Sequence, residues 1–171
     1  MGIVLMVNFR FWILLLSIFL TINLYASKVH SISTFEKEFN IQIILEDTFQ
    51  STYNASYEKL ENKSIVTFYI DSILSKELRK YPKHYFAKIN LEQIIICKQL
   101  TVSNQRRAAM PDPIKKTLAI SIAHHYDKEY LIHVLHHEMH HITEYSLWQD
   151  MFYKWKKWER KNPKSFVYGT G

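Results

Sequence analysis

The sequence predicts an α+β domain behind an apolar N-terminal segment. Three observations lead there. β-branched runs at 41–45, 91–97 and 117–123 have the length and composition of strands. Segments 63–81 and 130–145 place apolar residues at helical spacing. An apolar run at 11–24 follows Arg10 and precedes small residues. With 171 residues, 47% of them hydrophobic and 22% charged, the chain has material for one domain with a buried core. Three glycines and four prolines argue against a repeat or low-complexity architecture. The net charge of +6 comes from basic residues scattered among acids, so nucleic acid is not an expected partner.

Taken in order, residues 1–26 read as a signal peptide. The run Phe11 to Leu24 suits a signal core and is short for a membrane span, and Tyr25-Ala26-Ser27 offers a cleavage point after Ala26. Ile3 to Val7 add apolar length upstream, so an uncleaved anchor that contacts the membrane through residues 11–24 stays open. Either reading exports the remainder, 27–171, as one domain. No cysteine follows the run, which excludes a lipoprotein anchor, and Cys97 within Ile94-Ile95-Ile96-Cys97 is expected to be a buried thiol without a partner.

Ser33-Thr34 with Glu36 and Glu38 marks a helix start, and Ile41 to Leu45 a strand. Residues 48–62 are polar and read as irregular. Lys63 to Tyr81 reads as a helix with Ile65, Phe68, Tyr69, Ile73, Leu74 and Leu78 inward, ended by Pro82; His84 among polar neighbours is a surface histidine. Leu91 to Cys97 is an apolar strand. Arg106 to Met110 precedes the turn Pro111-Asp112-Pro113, and Thr117 to Ala123 alternates as a half-buried strand.

The segment YLIHVLHHEMHHITEY, 130–145, contains His137, Glu138 and His141 in the pattern H-E-x-x-H. Four residues apart on a helix, the two imidazoles can close on one metal ion. Imidazole nitrogen suits Zn²⁺, and Glu138 can reach a water whose pKa the metal lowers. Val134, Leu135, Met139 and Ile142 give this helix an apolar flank, which predicts burial against the small sheet. Glu144 lies on the motif face but too far along the axis to share the metal, because a helix rises about 1.5 Å per residue. Its expected part is to orient an imidazole.

His137-Glu138-Met139-His140-His141, flanked by Val134-Leu135 and Ile142-Thr143, resembles the active-site helix of the zincin metallopeptidases, and Asn162 to Gly169 more weakly resembles bacterial zinc-binding metallopeptidases of the gluzincin kind. The resemblance covers the last third of the chain. It implies a zincin-like domain and a zinc-dependent endopeptidase acting on peptide or protein, with His137 and His141 as ligands and Glu138 as general base. It also implies an edge strand that pairs with extended substrate, for which Thr117 to Ala123 and the Arg106 segment both qualify. A metzincin is excluded, since neither Gly nor a third His follows His141 at the required spacing.

The chain departs from the family at the third ligand, which in gluzincins is a glutamate on a later helix. Glu159 has a suitable sequence distance but sits among Lys156, Lys157, Arg160 and Lys161. The preferred expectation is a domain incomplete at its C-terminus, with the third ligand beyond Gly171. Tyr145, Tyr153 and Tyr168 are candidate oxyanion donors, and Arg106 and Arg107, if they border the cleft, would favour acidic side chains. Trp148, Phe152 and Trp155 place an amphipathic helix over the tail, packed on the motif helix or touching a membrane surface.

Two other functions stay open. Seven of the nine histidines fall between 124 and 141, including His124, His125, His133, His136 and His140, which suits an exported metal-buffering protein. A catalytically inactive domain with the zincin fold is the other. Buffering has no use for Glu138, whereas hydrolysis requires it.

Overall fold

A computed structural model describes residues 12–14, 16, 32–46, 48–122 and 126–148. Residues 12–14 and 16 are helical; the rest of the expected signal segment lies outside the described residues. So do Ala123, His124, His125 and everything from 149 onward, which includes Tyr153, Glu159, Tyr168 and the tail helix beyond Trp148. Among the described residues no helix is long and apolar enough to cross a membrane.

The fold is mixed α and β. Helix α1 (32–39) ends at Asn40, whose positive φ of 55° closes it. Strand β1 (Gln42–Ile44) follows, then β2 (Ala55–Glu58), which falls inside the stretch expected to be irregular. Asn62 opens α2 (Lys63–Tyr69) by accepting from the Ser64 N–H at 2.9 Å. A π turn (Ile70–Leu74) carries that helix into α3 (Ser75–Leu78). The short helix α4 (Tyr85–Lys88) leads to β3 (Gln93–Cys97), β4 (Gln99–Val102), β5 (Gln105–Arg107), β6 (Ala109–Asp112) and β7 (Thr117–Ser121). The last described element is α5 (Lys128–Trp148).

Four strands form one sheet in the order β1-β3-β7-β6, parallel except for β6, which runs antiparallel to β7. Strands β2, β4 and β5 form a second, antiparallel sheet. Alternate residues of the larger sheet serve two cores. Ile94, Ile96, Leu118 and Ile120 pack with helical residues such as Leu74, Leu78, Leu135 and Met139. Ile95, Cys97, Ala119 and Met110 pack with Tyr57 and Leu100 of the smaller sheet.

This two-sided cover corrects the reading of Thr117 to Ala123 as half-buried, because all five residues of β7 are buried. It also decides between the two edge candidates: Thr117 to Ala123 is ruled out as an edge, whereas the Arg106 to Met110 segment contributes to two edge strands, β5 and β6. Strand β7 is paired on both sides, β5 edges only the smaller sheet, and the antiparallel edge of the larger sheet is β6. In the helix expected from Lys63 to Tyr81 the regular turns stop at Leu78. Its buried stripe is Val66, Tyr69, Ile70, Ile73, Leu74 and Leu78, whereas Phe68 is 71% exposed because it falls out of phase with that stripe. His84 is exposed, as expected.

Asparagine takes the conformations that glycine usually supplies. Asn40, Asn54, Asn90 and Asn104 all have positive φ, and Ser103 at 49° with Asn104 at 64° makes the two-residue turn between β4 and β5. At the end of β6, Asp112 is fully buried and accepts three hydrogen bonds: Thr52 N–H at 2.7 Å, Ser51 hydroxyl at 3.3 Å and Lys115 N–H at 3.1 Å. It thereby ties the loop before β2 to the edge strand. Asp112→Ala removes the buried acceptor of three hydrogen bonds that join the loop to the edge strand and is expected to cost about 2–3 kcal/mol in urea unfolding, with Asp112→Asn costing less.

Cys97 is buried, its Sγ 3.5 Å from the Ile120 carbonyl oxygen, and burial pushes the thiol up to about 12. Because the thiolate is the reactive species, a neutral disulfide reagent at pH 8 should label Cys97 only as fast as the protein opens. Rapid labelling of folded protein would contradict this placement.

Candidate metal centre

Asp127 starts α5, its Oδ1 accepting from the Tyr130 N–H at 2.7 Å. Leu131, Val134, Leu135, Met139 and Ile142 form the buried stripe of the helix, in keeping with the apolar flank read from the sequence. Their burial fixes the rotation of α5 about its axis. His133, His137 and His140 consequently stand exposed, His136, Glu138 and His141 half-buried, and Glu144 buried at 4% exposure.

His137 Nε2 and His141 Nε2 face each other at 3.1 Å, with the rings nearly perpendicular at 87°. Two nitrogens bound about 2.0–2.1 Å from one tetrahedral metal would stand about 3.3 Å apart, so this pair fits a shared ion with little movement. Glu144 occupies the expected supporting position. Its Oε2 lies 2.9 Å from His141 Nδ1, and its Oε1 lies 3.1 Å from His140 Nε2. A carboxylate accepts from Nδ1–H, which leaves His141 Nε2 with its lone pair toward His137.

Electrostatics points the same way. Burial first, and then the neighbouring His141, His133 and His140, lower the pKa of His137, favouring the neutral imidazole that a metal requires. Burial raises the Glu138 carboxyl, against smaller opposing effects from His141 and Arg107.

Glu138 and His141 open into a cleft of about 410 Å³. Its far wall is β6, through Ala109, Met110 and Pro111, together with Val102, Ser103 and Arg107 of the β4–β5 hairpin and Tyr53 of the preceding loop. The Arg106 and Arg107 expectation thus resolves to Arg107 alone; Arg106, adjacent on a strand, does not line the cleft. Tyr53 is not among the residues the sequence singles out, because no local pattern connects residue 53 with a helix that begins at 128. Burial first, then Asp112 and, least, Tyr145 raise the Tyr53 phenol; Tyr145, one of the tyrosines expected near the site, is half-buried.

The remaining described histidines divide. His136 Nδ1 lies 2.6 Å from the Tyr81 hydroxyl and its Nε2 lies 2.8 Å from Glu77 Oε2, so this ring clamps α5 to α3 and the turn after it. His140 is paired with Glu144, and the His133 ring centroid stands 6.3 Å from that of His137. Among the described residues no third His, Cys, Asp or Glu completes a metal-binding group with His137 and His141. The chain matches no family model, no curated protein and no solved structure.

Glu144→Ala frees the His141 ring to rotate, so if His137 and His141 hold zinc, its affinity measured by chelator competition is expected to fall by about 10–100-fold. An unchanged affinity would show that Glu144 does not orient this imidazole.

Proposed function

We propose that this chain is an exported zinc-dependent metallopeptidase with a zincin-like domain, hydrolysing peptide bonds in a peptide or protein substrate. The observation that carries the reading is the facing pair His137 Nε2 and His141 Nε2, 3.1 Å apart, beside Glu138 in a cleft walled by an edge strand. Strands followed by a helix bearing H-E-x-x-H, with a sheet edge alongside, are also what the resemblance to zincins implies. Export rests on Arg10 and the apolar run at 11–24, with residues 1–26 as the signal or an uncleaved anchor.

Zn²⁺ held by His137 and His141 would supply Lewis acidity to a water and to the scissile carbonyl. Glu138 is the general base. Its raised pKa makes the carboxylate a better proton acceptor than an exposed glutamate, so it takes the proton of the attacking water and passes it to the departing amine. Strand β6 presents the open edge of the sheet to the cleft, where an extended peptide can be held by its main chain. Tyr53 lines the cleft, and its phenol would be the donor to the carbonyl oxygen as it becomes negative.

The division of the histidines favours one two-imidazole centre over a distributed buffering array. His136 is spent on Tyr81 and Glu77, and His140 on Glu144.

The test combines metal content and hydrolysis on the full chain. Zinc near about one equivalent is expected, lost in His137→Ala and His141→Ala and retained in Glu138→Gln. Hydrolysis of a casein substrate should drop at least about a hundredfold in Glu138→Gln. Zinc loss in Glu159→Ala would make that residue the third ligand; retention there would assign the ligand elsewhere. Hydrolysis that survives Glu138→Gln refutes the mechanism.

A further inference from the structure

Arg107 is exposed on β5 and reaches the same cleft as Glu138. The position is fixed by backbone geometry. The Ser103-Asn104 turn sets the register that pairs Arg107 with Leu100 and Arg106 with Thr101, so the two arginines project from opposite faces of the hairpin. The Arg107 guanidinium donates to Gln105 Oε1 at 2.8 Å, a neutral acceptor. Among the described residues no carboxylate forms a salt bridge with it; the ion pairs of Arg79, Lys80, Lys98 and Lys116 all lie elsewhere.

Among the described residues Glu138 is the one carboxylate that lines the cleft, and the Arg107 charge reaches it; apart from His141 the rest of the wall is neutral: Tyr53, Val102, Ser103, Ala109, Met110 and Pro111. The nearby Asp112 is fully buried, its oxygens accept from Thr52, Ser51 and Lys115, and among the described residues it makes no ion pair with Arg107. A guanidinium is planar, permanently charged and suited to bidentate contact with a carboxylate. It stands beside the edge strand against which an extended peptide would lie, where side chains project at regular intervals.

We propose that Arg107 forms an acidic-side-chain subsite, so that the cleft takes peptides carrying Asp or Glu near the bond placed at Glu138. The inference rests on the peptidase reading for its place in catalysis, but binding at the subsite needs neither metal nor turnover.

The experiment measures binding on the full chain carrying Glu138→Gln, without added metal. The probes are three fluorescent hexapeptides identical except for a central Glu, Gln or Lys. The Glu peptide should bind about fivefold more tightly than the Gln peptide, with the Lys peptide weakest, and the difference should shrink in high salt. Adding Arg107→Glu should reverse the order, and Arg107→Gln should level it. Arg106→Glu makes the same charge change on the other face of the hairpin and should keep the Glu preference. Circular dichroism melts confirm that each variant folds.

Equal affinity for the three peptides, binding of none of them, or the same reversal in Arg106→Glu would overturn the subsite. Hydrolysis by the parent chain is measured in parallel. A Glu preference without hydrolysis sinks the peptidase reading and leaves the subsite standing. Hydrolysis dependent on Glu138 without a Glu preference does the opposite.

Discussion

The rotation of α5 about its axis is the constraint on which the site depends. Five apolar residues, Leu131, Val134, Leu135, Met139 and Ile142, are buried against the sheet and the helices packed on it. Rotating the helix by one residue, about 100°, would expose part of that stripe and drive histidines into the core. Each buried Leu, Ile, Met or Val side chain is worth about 1.5–3 kcal/mol, so the stripe outweighs any single polar contact on the helix. The facing of His137 and His141 is therefore a by-product of hydrophobic burial on the other side. Four polar contacts then lock the detail: Tyr81 and Glu77 hold His136, and Glu144 holds His141 and His140.

The opposite wall of the cleft depends on the sheet being covered on both faces. Because β7 is central and fully buried, the strand available to the cleft is β6, and β6 is held at its end by Asp112. Asp112 also fixes the loop that carries Tyr53, while the tight turn at Ser103-Asn104 fixes the hairpin that carries Arg107. Three segments distant in sequence thus meet the motif helix through one carboxylate and one turn. The arrangement is precise without glycine, because asparagine tolerates positive φ and its side chain competes well for local hydrogen bonds.

Local patterns make the motif helix legible in the sequence. Its apolar stripe, the i, i+4 imidazoles and the supporting place of Glu144 follow from helical geometry alone, and β1, β3 and β7 coincide with the β-branched runs. The elements that local patterns do not reveal are set by tertiary contacts. Strand β2 is short and half polar, so it reads as a loop until β4 pairs with it. The β4–β5 turn lacks the Asn-Gly or Asp-Gly signal that usually reveals such hairpins. Thr117 to Ser121 looks two-faced in sequence because Thr and Ser alternate with Leu and Ile, yet these small polar side chains are buried too; the Ser121 hydroxyl donates to the Lys98 carbonyl oxygen at 2.9 Å. Nothing in the sequence of residues 48–62 ties Tyr53 to α5.

Glu138 shows the tension between packing and chemistry within one residue. It follows His137 by one position, so it is turned about 100° from the imidazole pair, toward the buried side of the helix. Burial raises its pKa, which costs stability as long as the carboxyl is ionised. Nothing in the apolar stripe requires a carboxylate there, and a Gln or Leu would satisfy the same space without that cost. The Arg107 charge offsets part of the penalty from the cleft side, where solvent also enters. A half-buried acid whose compensating charge lies on the open side suits the proposed proton acceptor facing the cleft better than a residue serving only to pack α5.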